Sequence, residues 1–192
     1  MNLNPRNAVF LAGFIVYIAI RGRFAGTTKH NVKTVRRVDA TEKILLALVG
    51  VTSLLLPVLY LFTPWLAFAD YPLPAVAWWC GLVVMVAAIV LFYRSHADLG
   101  VNWSATLEMR EGHTLVTDGV YRSIRHPMYA AILLFDVAQG LMLANWLAGW
   151  SALAAFLLLY VIRAPREEQM MLDGFGDNYR DYMRRTGRLI PR

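Results

Sequence analysis

A single cysteine, Cys80, among 192 residues excludes an internal disulfide framework and any cysteine-based zinc site, since both need several sulfurs at set spacings. Charge is scarce as well. Only 17% of the residues are Asp, Glu, Lys or Arg, against about 25% in an ordinary soluble domain, too few to cover a water-exposed globule. The histidines His30, His96, His113 and His126 show none of the close His/Asp/Glu spacings of a helix-borne metal site. No unit of about 20 to 50 residues repeats, which excludes a solenoid or propeller. What remains is 58% hydrophobic with a formal net charge of +6. Positive mean hydropathy decides between the two partners such a charge suggests: the apolar residues must meet lipid, and nucleic acid is not expected.

A helix crossing about 30 Å of hydrocarbon needs about 20 mostly apolar residues. Ile44–Phe62 and Ala75–Tyr93 qualify, and Asn7–Ile20 is a shorter third. Pro57 predicts a kink whose released carbonyl needs another donor. The apolar stretch from Tyr129 to Ile162 is too long for one crossing and breaks at Asn145, so it reads as a tight hairpin of Tyr129–Leu143 and Trp146–Ile162 lined with small residues. The expected fold is all-α and polytopic, with five transmembrane helices, three of them within residues 1–93 and the hairpin within 94–192. Basic residues crowd the Arg21–Lys43 connection, the 94–128 segment and the tail after Ile162, whereas the Ala69–Pro74 connection has none. By the positive-inside rule the amino terminus is outside and the carboxyl terminus cytoplasmic. The tail interleaves its arginines with Glu167, Glu168, Asp173, Asp177 and Asp181, which predicts a folded, internally paired segment with Tyr179 and Tyr182 on one helix face.

Two clusters carry chemistry. The 94–128 segment is too long for a mere connector and ends in Arg125, His126, Pro127, Met128 and Tyr129; Pro127 suits the first turn of a helix, whose start favours carboxylate or phosphate. Alone, His126 reads as a cap. Arg163, at the edge of the last apolar run, stands four residues before Glu167; the pair is either an interfacial salt bridge or a cation poised for the polar head of a lipidic molecule. A hairpin returns Arg163 to the side where His126 begins. Asp136, within an apolar helix, is either a functional proton or cation site or a partner of Gln139 or a neighbouring helix.

The ordered set His113–Val116, Gly119–Tyr121, Arg125-His126-Pro127 with Tyr129, Asn145, and Arg163-Glu167-Glu168 followed by Phe175, Gly176 and Tyr179 resembles the isoprenylcysteine carboxyl methyltransferases and related integral-membrane methyltransferases, including those acting on phospholipids. The resemblance covers roughly residues 94–192. It implies a catalytic region there, with a cytoplasmic cofactor-binding loop and a C-terminal helical segment. It implies S-adenosylmethionine as methyl donor, held by His113, Thr114, Leu115, Val116, Tyr121, His126, Pro127, Met128, Tyr129, Glu167 and Glu168, with no metal. It also implies that Arg163 lies beside the substrate and the transferring methyl group, and Arg163 and Glu167 are the expected catalytic residues. The implied acceptor is a lipophilic small molecule or lipidated substrate, a carboxylate, thiol or amine, taken from the bilayer without an obligate protein partner. For an amine or thiol, Glu167 or Glu168 would be the base. The competing readings are an NADPH-dependent reductase of the sterol reductase type, using Arg122 and Arg125 for phosphates, and a non-enzymatic transporter or adaptor.

Overall fold

Each apolar run becomes a helix, and most helices outlast the run that predicts them. The computed structural model describes residues 3–27, 33–36, 39–100, 108–110 and 114–192; His113, an expected cofactor contact, lies outside the described residues. The first run is helix α1 (Pro5–Thr27). The second begins early, because Asp39 caps it: its carboxylate accepts the Glu42 N–H at 2.8 Å, starting α2 (Ala40–Gly50) before Ile44. A π-helical turn (Val51–Leu55) then carries α2 into α3 (Leu56–Phe62). Pro57 explains the turn. Having no N–H, it leaves the Thr52 carbonyl without its helical donor, and Gln139 Nε2 reaches that oxygen at 3.4 Å.

Helix α4 (Ala75–Leu99) lies along α5 (Pro127–Met142), the most extensive helix pairing in the molecule. Gly81 of α4 faces Leu141 and Met142, where a side chain would force the helices apart. After α5 the chain turns on Asn145, enters a π-helical turn (Trp146–Trp150) and returns as α6 (Ser151–Phe175). Helix α6 does not stop at the end of the apolar run. It continues through Pro165, so Arg163, Glu167 and Glu168 ride on one rigid helix rather than on a separate tail. Gly176, at φ +56°, breaks it from α7 (Asp177–Arg185). The departure from an all-α reading is a two-stranded antiparallel ribbon, β1 (Lys33–Arg36) against β2 (Glu108–Arg110), joining the two long connections.

Helices α1, α3, α4 and α5 share one core around Phe10, Leu61, Met85, Phe135 and Met142. A second core, around Leu45, Tyr129, Phe156 and Leu159, joins α2, α5 and α6. Many large apolar side chains point outward, among them Ile15, Ile44, Val83, Val90 and Val161. Among the described residues four helical segments are long and apolar enough to cross a membrane: Pro5–Ala25, Ala40–Phe62, Ala75–Leu99 and Trp146–Phe175. Helix α5 has 16 residues. At ~1.5 Å per residue it is about 24 Å long.

Candidate active site

A cavity of about 330 Å³ opens where α1, α2, α5 and α6 meet the 114–128 segment and α7. It brings together residues far apart in sequence. Of the expected site residues, Thr114, Leu115, Val116, Tyr121, His126, Pro127, Met128, Tyr129, Arg163 and Glu167 line it, and Glu168 does not. One end is polar and lies beside α7; the other is apolar and lies between α2, α5 and α6, against Leu46, Val49, Ile132, Phe156 and Leu159.

The polar end is built on the start of α5. Pro127 takes the first helical position, where its missing donor costs nothing, which fixes His126 as the cap residue and Tyr129 half a turn further on. The His126 and Tyr129 rings stack, with centroids 5.3 Å apart. The Tyr129 hydroxyl donates to Glu167 Oε2, and His126 Nδ1 lies 3.9 Å from Glu167 Oε1. Residues of α5 and α6 thus share one wall.

Glu168 has a different task. Its carboxylate accepts from Arg125 Nε at 2.7 Å, His126 Nε2 at 3.1 Å, and Arg188 Nε and Nη2 at 3.1 and 2.5 Å. An ionised carboxylate only accepts, so His126 Nε2 carries a proton. Backbone pairing completes this clasp: Arg125 N–H donates to the Gly187 carbonyl at 2.9 Å and His126 N–H to the Arg188 carbonyl at 3.0 Å. Arg125 Nη1 also donates to the Thr186 carbonyl at 2.6 Å. Arg125 is therefore committed within the protein, which removes one of the two arginines that a phosphate-binding reading needs.

Arg163 sits where the polar and apolar parts meet, buried, with Glu42 Oε1 3.4 Å from its Nη1 and Glu167 Oε2 4.0 Å from its Nε. Glu42, 2% exposed, is a site residue the sequence reading missed. Its signal was the Asp39-to-Glu42 spacing of a helix start. On the outer side Asp39 meets Arg166 at 2.9 Å, and its carboxyl is held below the usual range, first by the Glu42 N–H and then by that guanidinium.

Aromatic groups close the polar end. The Tyr121 hydroxyl donates to the Ser95 carbonyl at 3.2 Å and Tyr182 to the Tyr121 carbonyl at 2.7 Å. Burial pushes the Tyr121 and Tyr179 phenols far up and Tyr182 up to about 12, so all three remain neutral. Gly119, at φ +59°, holds the loop beneath them: Asp98 accepts the Val120 N–H at 2.8 Å and occupies the space a side chain at Gly119 would take.

A family profile for isoprenylcysteine carboxyl methyltransferases matches residues 49–173. Protein-S-isoprenylcysteine O-methyltransferase of Dictyostelium discoideum is 29% identical over 120 residues, 59% of this chain and 49% of that protein. Protein-S-isoprenylcysteine O-methyltransferase A of Arabidopsis thaliana is 31% identical over 111 residues, 58% of this chain and 54% of that protein. The chain spans about half the length of these relatives. The solved structure of the eukaryotic intramembrane Ras methyltransferase ICMT superposes with a TM-score of 0.61 at 25% identity, covering 98% of this chain and 68% of that one.

Proposed function

The chain belongs to the isoprenylcysteine carboxyl methyltransferase family and is an integral membrane protein, and from that premise we propose that it transfers a methyl group from S-adenosylmethionine to a lipophilic acceptor drawn from the bilayer, an isoprenylcysteine carboxylate or another lipid-soluble carboxylate. One observation carries the reading: a single cavity has a carboxylate-and-aromatic end beside α7, an apolar end among the helices, and Arg163 between them.

The polar end fits the donor. Glu167 offers a carboxylate to its cationic groups, Tyr121 and Tyr179 offer flat walls to adenine, and His126, Pro127, Met128 and Tyr129 frame the start of α5. Thr114, Leu115 and Val116 complete that side. When bound, S-adenosylmethionine supplies a methyl group already activated on a positively charged sulfur. The protein's contribution is alignment and dryness. Arg163, held by Glu42 and Glu167, presents a planar fork to the acceptor carboxylate, and the helices around it exclude water. A carboxylate needs no general base, which accords with a Glu168 already engaged by three basic side chains. Glu167, not Glu168, is the proposed catalytic carboxylate.

We further propose five crossings, with α5 as the short fourth, and an active site facing the cytoplasm. The reading is tested with purified protein and radiolabelled donor. Arg163→Ala is expected to lower methyl transfer by roughly a hundredfold or more while S-adenosylhomocysteine binds within about threefold of wild type; Glu167→Ala is expected to weaken that binding at least about tenfold. Equal loss of product affinity in both variants contradicts the division of roles, and absence of S-adenosylhomocysteine binding to wild type contradicts the function.

A further inference from the structure

The apolar end of the cavity contains two polar groups that the methyl-transfer chemistry does not use. Asp136 lines it from α5, and Ser53 lines it from the π-helical turn between α2 and α3. Asp136 is 1% exposed. Its Oδ2 has no hydrogen-bond partner among the described residues, and neither does Ser53 Oγ. The obvious neighbour has no donor to spare: Gln139, one turn along α5, donates its amide nitrogen to the Ala148 carbonyl at 2.7 Å and to the Thr52 carbonyl at 3.4 Å. The cavity wall also carries Ile132, Phe135, Leu54 and Phe156, none of which can hydrogen-bond through its side chain, and Tyr17, stacked on Phe135 with ring centroids 4.3 Å apart, whose hydroxyl does not satisfy Asp136 Oδ2.

A buried carboxyl and a buried hydroxyl without partners oppose folding unless something that enters the cavity satisfies them. A carboxyl in either protonation state and a hydroxyl can each accept a hydrogen bond, so a donor is the one kind of partner that serves both groups whatever their protonation. Asp136 follows Tyr129 by seven residues on one helix, which sets it about 10 Å along the axis from the polar end. We propose that Asp136 and Ser53 form an acceptor-recognition subsite, and that the acceptor carries a hydrogen-bond donor, an alcohol or an ammonium group, on its hydrophobic body roughly 5 to 10 Å from the group that receives the methyl, since Arg163 stands one turn deeper than the Glu167 that meets Tyr129. The inference rests on the methyl-transfer reading and narrows it: a plain hydrocarbon chain leaves both groups unmet, and a functionalised one meets them. The physics resembles that of sites built to pair a substrate hydroxyl, which reject the analogue lacking it.

The test uses the full chain in lipid nanodiscs and three kinds of probe: an N-acetyl S-isoprenylcysteine with an unmodified chain, and the same compound with a hydroxyl or a primary amine placed about 5 to 10 Å from the carboxylate. Binding is followed calorimetrically, with S-adenosylhomocysteine titrated in parallel. Wild type is expected to bind the hydroxylated probe about fivefold tighter than the unmodified one, and Asp136→Leu to remove that preference while holding the unmodified probe within about twofold. Asp136→Asn, which keeps an acceptor and cannot ionise, is expected to retain the preference for the alcohol and to lose any further gain with the amine. Ser53→Ala is expected to reduce the preference in part and serves as a second, milder variant. Equal affinity of wild type for the hydroxylated and unmodified probes overturns the proposal, as does a preference that survives Asp136→Leu or, should that variant not fold, one left unchanged by both Asp136→Asn and Ser53→Ala. Loss of S-adenosylhomocysteine binding from wild type counts against methyl transfer alone, because the probe comparison needs no donor.

Discussion

Glu42 occupies the third position of α2, where a carboxylate ordinarily does no more than complement the positive end of the helix. Here its side chain is buried against Arg163, and with Glu167 it fixes the guanidinium from two sides. It is a positioning residue: it acts by holding Arg163. Glu42→Gln, close in shape but neutral, is expected to lower kcat about tenfold with KM nearly unchanged, and Glu42→Asp to recover part of the loss; steady-state kinetics on both variants check this. An equal effect on kcat and on thermal stability, without recovery by Asp, would make the residue merely structural. At this scale the sequence showed the cluster from His126 to Tyr129 and the pair Arg163 and Glu167, because neighbouring residues in one short motif remain neighbours in space. It did not show Glu42, Arg188 or Ser53. Glu42 follows Thr41 and precedes Lys43 in an ordinary polar helix start, and nothing local reveals that α2 packs on α6.

Among the elements, the α5–α6 turn depends most on one side chain. Asn145 Oδ1 accepts from the Leu147 and Ala148 N–H groups at 3.0 and 2.8 Å, while Nδ2 donates to the Leu66 carbonyl at 2.6 Å and to Asp70 Oδ1 at 2.7 Å. It caps the returning helix and ties the turn to the connection after α3. Asn145→Ala removes all four bonds at a buried position and is expected to destabilise the folded protein by about 3 kcal/mol, read from denaturant unfolding in detergent micelles; a change below about 0.5 kcal/mol would mean the turn holds without it. The break at Asn145 was legible because a polar amide is costly inside an apolar run unless the backbone turns there and supplies it with partners. The reach of α6 was less so. Hydropathy ends at Ile162, whereas the helix is sustained beyond it by packing of Met170 and by the bonds of Glu168, which are tertiary. The ribbon of β1 and β2 left no pattern to read: its strands are four and three residues long, and short polar segments carry no usable period.

The molecule as a whole has two unlike ends. Trp65, Phe68, Trp79 and Trp146 are exposed at the end bearing the Asn145 turn, the placement aromatic side chains take at a membrane interface. Arg6, a basic residue of α1, belongs to that end too and stands over Trp78 at 5.9 Å. Exposed Arg94, Arg166, Arg180 and Arg184 gather at the other end with the cavity's polar mouth. In a chain with Cys80→Ser, an impermeant maleimide is expected to label Phe68→Cys in intact cells and Asn178→Cys only after permeabilisation; the reverse pattern would invert the topology. The clasp on Glu168 adds an order in time. Gly187 and Arg188 follow every apolar helix in the chain, so His126 and Arg125 meet these partners only after all the helices have been synthesised. A chain truncated before Gly187 would keep every apolar helix and the greasy channel among them, with its water-side mouth unlatched.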